Sequence, residues 1–418
     1  MMRKANRFCP LAMVNETLIL IMVCLSSYGI GITGSDAFMA ETAASGGVIA
    51  LGDPVPWFSA RTITGAQIDL HVEAGRWVVL CFLGSLAERR SMAELATILA
   101  AAAVFREDHC VFYGILSEMP ADAAVLAGIS GPAMGYVVDD GGDLVRAYGA
   151  EGSPRTIILD PLLRAVANVA FDHPDGHGAV VTGFLKQLPE VGASAGVPLT
   201  APVLIVPRVF EFELCDALID LYRRQGGEDS GFLLDQDGKT ATVIDHSLKR
   251  RQDLVLVDPE TRAILRDRIV RRLLPAIERF FQFKATRMDR YMISCYDSEL
   301  GGHFFRHRDN LNAGARHRRF AVSLNLNSDY DGCDLRCPEF GRQTYRAPAG
   351  GAIVFSCGML HEVTPVTRGR RYAFLAFLYG EADAALRESN NAGLHEGELR
   401  YSGERDRLLP EQTAEEAA

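Results

Sequence analysis

The sequence predicts two domains in series: an α/β sandwich, then a double-sheet jelly-roll domain with flanking helices. Three observations carry this. Between residues 52 and 188, apolar strand-like runs alternate with helix-patterned stretches, the order that builds a helix-covered sheet. Between 287 and 379, short strand-like runs crowd together, rich in aromatic and β-branched residues and bounded by Gly, Pro or charged turns, as in a two-sheet domain. Between these regions, 189–202 (PEVGASAGVPLTAP) reads as a linker. At 418 residues the chain is too long for one ordinary domain, and 48% hydrophobic residues suffice for two cores.

The first 46 residues read as an N-terminal extension. Arg3, Lys4 and Arg7 precede an apolar run at 17–25 that fades through Ser26, Ser27 and Gly29. This is signal-like, but Glu16 abuts the run and no small-residue cleavage site follows. The run is also short for a membrane span. The expectation is a disordered extension or a true start at Met39, with a cytoplasmic protein. A genuine signal or anchor within 1–35 would instead make it exported or membrane-tethered. Nine cysteines, an odd number mostly in apolar strand contexts, fit reduced thiols better than a disulfide framework. A net charge of -10 lacks the basic footprint of a general nucleic-acid binder, so no nucleic-acid partner is expected.

The first domain is expected over 47–188. Its elements in order are a buried strand at 77–83, a helix within 86–105, strands at Cys110–Leu116 and 135–138, a turn at 152–155 feeding a strand, and a closing helix at 180–188. The residues GDPVPWF (52–58), WVVLCFLG (77–84) and Ser153-Pro154 carry a resemblance to the peroxiredoxin-like branch of the thioredoxin fold. That resemblance implies a thioredoxin-like fold with a cis proline at 154. It also implies a nucleophilic cysteine just after the first long strand. Residues 84–90 read GSLAERR and contain none. A helix N-terminus activates a thiol by lowering its pKa, and here there is no thiol to activate. Cys81 lies earlier, on the apolar strand, and reads as core. The domain is expected to be a redox-dead scaffold or binding module.

The second domain is expected over 203–382. Residues 207–224 carry helical spacing, with acidic residues early and arginines late. The basic stretch 248–252 (LKRRQ) could meet a substrate, but a solvated turn is the expected account. Residues 259–283 read as one amphipathic helix, with Ile264, Ile269, Leu273, Leu274, Ile277 and Phe280 inward. In 320–327, Phe320, Val322, Leu324 and Leu326 alternate with Ala321, Ser323, Asn325 and Asn327, giving a strand with one small, polar face. The chemistry-bearing residues stand around these strands. His307 and Asp309 form an H-x-D pair, His361 follows about fifty residues on, after a Gly-Gly turn and a short apolar strand, and Arg371 heads another apolar strand ten residues beyond it. Two histidines and a carboxylate on one face of a metal are the ligand set of non-haem Fe(II) oxygenases. Arg370 and Arg371 point to opposite strand faces, and parity alone does not choose between them.

Over 203–380 the chain resembles the prolyl 4-hydroxylase-like Fe(II)/2-oxoglutarate dioxygenases, through Tyr296, Gly301-Gly302, His307, Asp309, Pro348, Gly351, Phe355, Leu360-His361 and Arg371. The resemblance implies a double-stranded β-helix and metal binding by His307, Asp309 and His361. It places Arg371 on the distal carboxylate of 2-oxoglutarate, with Tyr296 lining that pocket. Asn325 stands where the oxygen-sensing branch carries a tyrosine, and an amide there can still donate to a carboxylate. The implied cofactors are Fe(II), 2-oxoglutarate and O₂, with ascorbate as reductant. The implied reaction hydroxylates a C–H bond of a peptidyl proline or other amino-acid-like substrate, releasing succinate and CO₂. An oxygenase of small molecules or nucleic acid, and a non-catalytic interaction protein, are the alternatives. Residues 383–418 are expected to be a polar, mobile tail.

Overall fold

In the computed structural model, which describes residues 49–194, 197–236, 239–391, 394 and 407–408, the run WVVLCFLG becomes strand β1 (Trp77–Gly84), buried over seven of its eight residues. The expectations for residues 1–46 lie outside the described residues. A uniformly apolar strand must be covered on both faces, and β1 takes the middle of a five-stranded sheet. The order is β3 (Met134–Val138), β2 (Cys110–Leu116), β1, β4 (Arg155–Leu159), β5 (Ala165–Ala170). β1, β2 and β3 run parallel; β4 pairs antiparallel with β1, and β5 with β4. Helices α1 (Arg89–Leu99) and α2 (His177–Leu185) lay Leu95, Ile98, Val181 and Leu185 into one core with Val79, Cys81 and Leu83. Among the described residues no peptide bond is cis. Ser153–Pro154 is therefore trans, the ordinary state of an X–Pro bond, against the expectation from the fold resemblance.

The chain divides into two compact units, Met1–Leu199 with Glu339–Gly341, and Thr200–Pro338 with Arg342–Ala418. The second is built on a seven-stranded antiparallel sheet. Its order is β6 (Leu204–Val206), β17 (Ala352–Ser356), β14 (Phe320–Asn325), β19 (Arg370–Tyr379), β12 (Arg287–Asp297), β11 (Gln252–Val255), β7 (Glu228–Asp229). A five-stranded antiparallel sheet runs β10 (Lys249–Arg250), β13 (His303–His307), β18 (His361–Val363), β15 (Leu335–Arg336), β16 (Thr344–Tyr345). β8 (Phe232–Gln236) and β9 (Lys239–Val243) form a separate hairpin.

Strand parity decides which face of the large sheet does what. Val322, Leu324, Val354, Phe374, Ala376 and Leu378 pack against helix residues Leu218, Leu265 and Ile277. Helix α3 (Phe212–Gln225) opens with Glu213 and closes with Arg223 and Arg224, matching the helix dipole. The segment expected as one helix is α4 (Pro259–Arg268), a π-turn at Ile269–Leu273, and α5 (Leu274–Phe281). The π-turn widens the repeat, so the buried stripe advances four residues at a time through Leu265, Ile269, Leu273 and Ile277. Leu265 is therefore buried in place of Ile264, and Phe280 is 66% exposed. Both were expected to face inward.

The start of the expected tail is structured. Helix α6 (Glu381–Asn390) begins with Asp383 accepting from the Gly380 N–H at 3.1 Å. Leu408 is buried in the helix-side core, and its N–H donates to Thr286 O. Among the described residues no helix is long and apolar enough to cross a membrane.

Candidate metal centre

β12 carries Tyr296 and ends in a tight turn. Gly301 takes φ +70°, and a Cβ on Gly302 would lie 2.8 Å from Asp297 N, so this reversal requires glycine. The turn delivers β13, whose His307 faces His361 across the antiparallel β13–β18 pair. Asp309 follows, its N–H donating to Cys357 O at 2.9 Å.

The two imidazoles are oriented alike. His307 Nδ1–H donates to Phe305 O at 2.7 Å, and His361 Nδ1–H donates to Met359 O at 3.0 Å. This leaves both Nε2 atoms as the free lone pairs. Both converge on one carboxylate: His307 Nε2 lies 3.6 Å from Asp309 Oδ1, and His361 Nε2 lies 3.4 Å from Asp309 Oδ2. One ligand atom from each residue falls within 4.8 Å of the others, a cluster able to hold a metal ion. Phe304 stacks on His307 at 3.5 Å, and Phe355 sets its edge to His361 at 4.6 Å. Burial and the neighbouring His307 lower His361 to about 4, so its ring is neutral at neutral pH, as a ligand must be. Burial opposes the Asp309 charge, yet the two histidines hold it well below the usual carboxylate range.

Arg371 is buried, on the face of β19 opposite the helix-side core residues Tyr372, Phe374 and Ala376. Arg370 points outward, exposed, and pairs with Asp297 and Glu299. Of the two adjacent arginines, Arg371 is therefore the inward one. Among the described residues, Arg371 has only neutral partners: Asn325 Oδ1 at 2.9 Å, Ser323 Oγ at 2.7 Å and Cys333 Sγ at 4.0 Å. Its guanidinium lies 5.6 Å from the Tyr296 ring. Asn325 is committed elsewhere than expected. Its Nδ2 donates to Ala347 O at 2.7 Å and its Oδ1 accepts from Arg371, so it positions the arginine.

Sequence reasoning missed Tyr330. It is 1% exposed, clusters with Tyr296 and Cys333, and among the described residues its hydroxyl has no hydrogen-bond partner. Of all charges, Arg371 acts on that hydroxyl most strongly. A buried orphan hydroxyl beside a buried cation without a carboxylate is what an absent anionic ligand leaves behind. The residues present therefore fit a carboxylate ligand. The stretch expected as a solvated turn is also otherwise: Lys249 and Arg251 are buried. Arg251 pairs with Asp253 at 2.6 Å and reaches Tyr296 OH at 3.4 Å. Lys249, Arg251 and Asp253 recur at every second residue, and that strand period was the available signal.

Two histidines and a carboxylate with their lone pairs converged are the kind of cluster that can hold a metal ion, and Arg371 is a buried arginine with no anionic partner among the described residues. Consistent with such a cluster, residues 291–379 match the 2OG-Fe(II) oxygenase superfamily. The chain is 34% identical over 117 residues to a PKHD-type hydroxylase from Synechococcus sp. (strain JA-2-3B'a(2-13)), covering 25% of this chain and 51% of that protein. It thus spans about half the length of that curated relative. Among solved structures, a Pseudomonas putida prolyl-4-hydroxylase aligns at 21% identity and TM-score 0.33, over 43% of this chain and 93% of that one. A thioredoxin domain of a Bacteroides vulgatus thiol-disulfide oxidoreductase aligns at 20% identity and TM-score 0.27, over 33% of this chain and 99% of that one.

Proposed function

We propose that the second unit is an Fe(II)- and 2-oxoglutarate-dependent dioxygenase of the prolyl 4-hydroxylase-like kind, with a jelly-roll core over about 203–382. It hydroxylates a C–H bond of a peptidyl proline or other amino-acid-like substrate and releases succinate and CO₂. The carrying observation is the convergence of both histidine Nε2 atoms on the Asp309 carboxylate, beside a buried arginine with no anion of its own.

In this reading His307, Asp309 and His361 hold the iron, which when bound supplies O₂ activation. The Nδ1–carbonyl bonds fix the rings so that no ligand must reorient on binding. Arg371 and the Tyr330 hydroxyl take the distal carboxylate of 2-oxoglutarate, with Tyr296 as wall and Asn325 as the brace of Arg371. Phe304 and Phe355 exclude water around the ligands. Ascorbate would serve as the reductant that keeps the iron ferrous. The first unit is read as a thioredoxin-like module over 47–188, and the protein as cytoplasmic.

The test is iron-dependent succinate formation from 2-oxoglutarate. Wild type should produce it, and His307→Ala, Asp309→Ala and His361→Ala should each reduce it at least a hundredfold without unfolding the protein. Near wild-type succinate from any of the three would overturn the ligand assignment.

A further inference from the structure

The geometry points to Arg290 as the anchor for an anionic group on the substrate, which makes the substrate a carboxylate. This rests on reading the second unit as a 2-oxoglutarate dioxygenase.

The first ground is the backbone. The β12–β19 register is interrupted between the Asp289–Phe377 and Met292–Leu375 pairs, and Arg290 sits in that bulge with φ +64°. A residue with a Cβ occupies that region only under backbone strain. Bulges near reactive sites commonly re-aim one side chain. Here the neighbours Met288, Tyr291 and Ile293 belong to the core against the helices. Arg290 instead sets its guanidinium 5.8 Å from the Phe377 ring. Phe377 shares strand parity with Arg371, and Leu375 and Phe377 are only half-buried, so this face is not sealed as the helix-side face is.

The second ground is charge. Every other cation around this face has partners. Arg251 pairs with Asp253, Arg318 and Arg387 pair with Asp289, and Lys249 donates to Ser230 Oγ and Gly231 O. Among the described residues, Arg290 alone of these makes no hydrogen bond and no ion pair, its single contact of this kind being with the Phe377 ring. Burial, then the like charge of Arg318, pulls its guanidinium down to about 10. Asp289 and Asp253 are the carboxylates that act on Arg290, but Asp289 is already taken by Arg318 and Arg387 and Asp253 by Arg251, so neither pairs with it. An unpaired cation in a partly desolvated site is costly. A planar carboxylate on the substrate answers it with a two-pronged pair.

The test uses the full chain loaded with Mn(II), which binds without turnover. 2-Oxoglutarate is titrated calorimetrically first, and its failure to bind would sink the dioxygenase reading by itself. The probe is then N-acetylglycine, with its neutral amide, N-acetylglycinamide, as control. The acid should bind saturably and the amide at least tenfold more weakly. Arg290→Gln should weaken acid binding at least tenfold while changing 2-oxoglutarate affinity less than twofold. Arg290→Lys should restore part of the loss. Absent acid binding in wild type, equal binding of acid and amide, or unchanged acid binding in Arg290→Gln would each overturn the proposal. So would acid binding abolished by Arg371→Ala but not by Arg290→Gln, because the probe would then occupy the co-substrate pocket.

Discussion

Arg371 lies buried with a neutral amide, a hydroxyl and a thiol around it. In the proposed function it is a receptor for a carboxylate rather than half of a structural ion pair. A bidentate guanidinium is poorly replaced by a point charge, so Arg371→Lys should raise the KM for 2-oxoglutarate about tenfold and Arg371→Ala about a hundredfold or more. Tyr330→Phe removes one hydroxyl without opening a cavity. It should raise the same KM about threefold to tenfold, consistent with about 1 kcal/mol for one hydrogen bond. Initial-rate succinate assays decide this, and a KM unchanged by Tyr330→Phe would remove the tyrosine from the pocket. The sequence disclosed the two kinds of residue unequally. His307 and Asp309 stand in a local motif and His361 follows a Gly-Gly turn and a short apolar strand, so spacing brings them into view. Tyr330 stands in the irregular stretch between β14 and β15, where no periodicity marks an inward side chain. Only the closing of strands distant in sequence places its hydroxyl beside Arg371.

The strands were largely visible as elements, because period-two alternation survives wherever one sheet face is core. β14 shows it most clearly: Val322 and Leu324 are in the helix-side core, while Ser323 and Asn325 face Arg371. The helices were less exact, since a π-turn changes the repeat that amphipathic reading assumes. The C-terminal segment was misjudged because its composition is polar, and composition does not register specific ion pairs. In α6, Asp383 receives Arg319 Nε at 2.7 Å, and Arg387 lies 3.0 Å from Asp289, which is itself buried. Deleting the chain after Gly380 removes these partners together with the buried Leu408. Breaking buried pairs costs about 3–5 kcal/mol. The truncated protein should therefore lose stability of that order in urea unfolding followed on the second unit. A midpoint equal to wild type would make α6 a passenger.

At the level of the whole chain, two units were foreseeable because the helix-and-strand alternation of 52–188 gives way to the strand-dense stretch 287–379. What the first unit does was not, because its resemblance is to enzymes whose reactive group it lacks. β1 leads through Gly84 to α1 at Arg89, and no thiol stands between them. Cys81 does not substitute for one. It is fully buried on β1, accepts a hydrogen bond from Thr156 Oγ1 at 3.1 Å, and burial pushes it up to about 12. Thr156 in turn meets His177 Nε2 at 2.9 Å, and His177 Nδ1 meets Glu94 at 2.8 Å. This chain of polar contacts ties α1 and α2 to the sheet and serves packing. The other cysteine of this unit among the described residues, Cys110, is likewise buried and pushed up to about 12. The attacking species in thiol peroxidases is the thiolate, and at neutral pH thiols held near 12 supply about one part in 10⁵ of it. The full chain, stripped of metal so that iron cannot decompose peroxide, should therefore reduce hydrogen peroxide with dithiothreitol no faster than the buffer does. Cys81→Ser should leave that background unchanged. Turnover above background that disappears in Cys81→Ser would make Cys81 a working nucleophile and the first unit an enzyme in its own right.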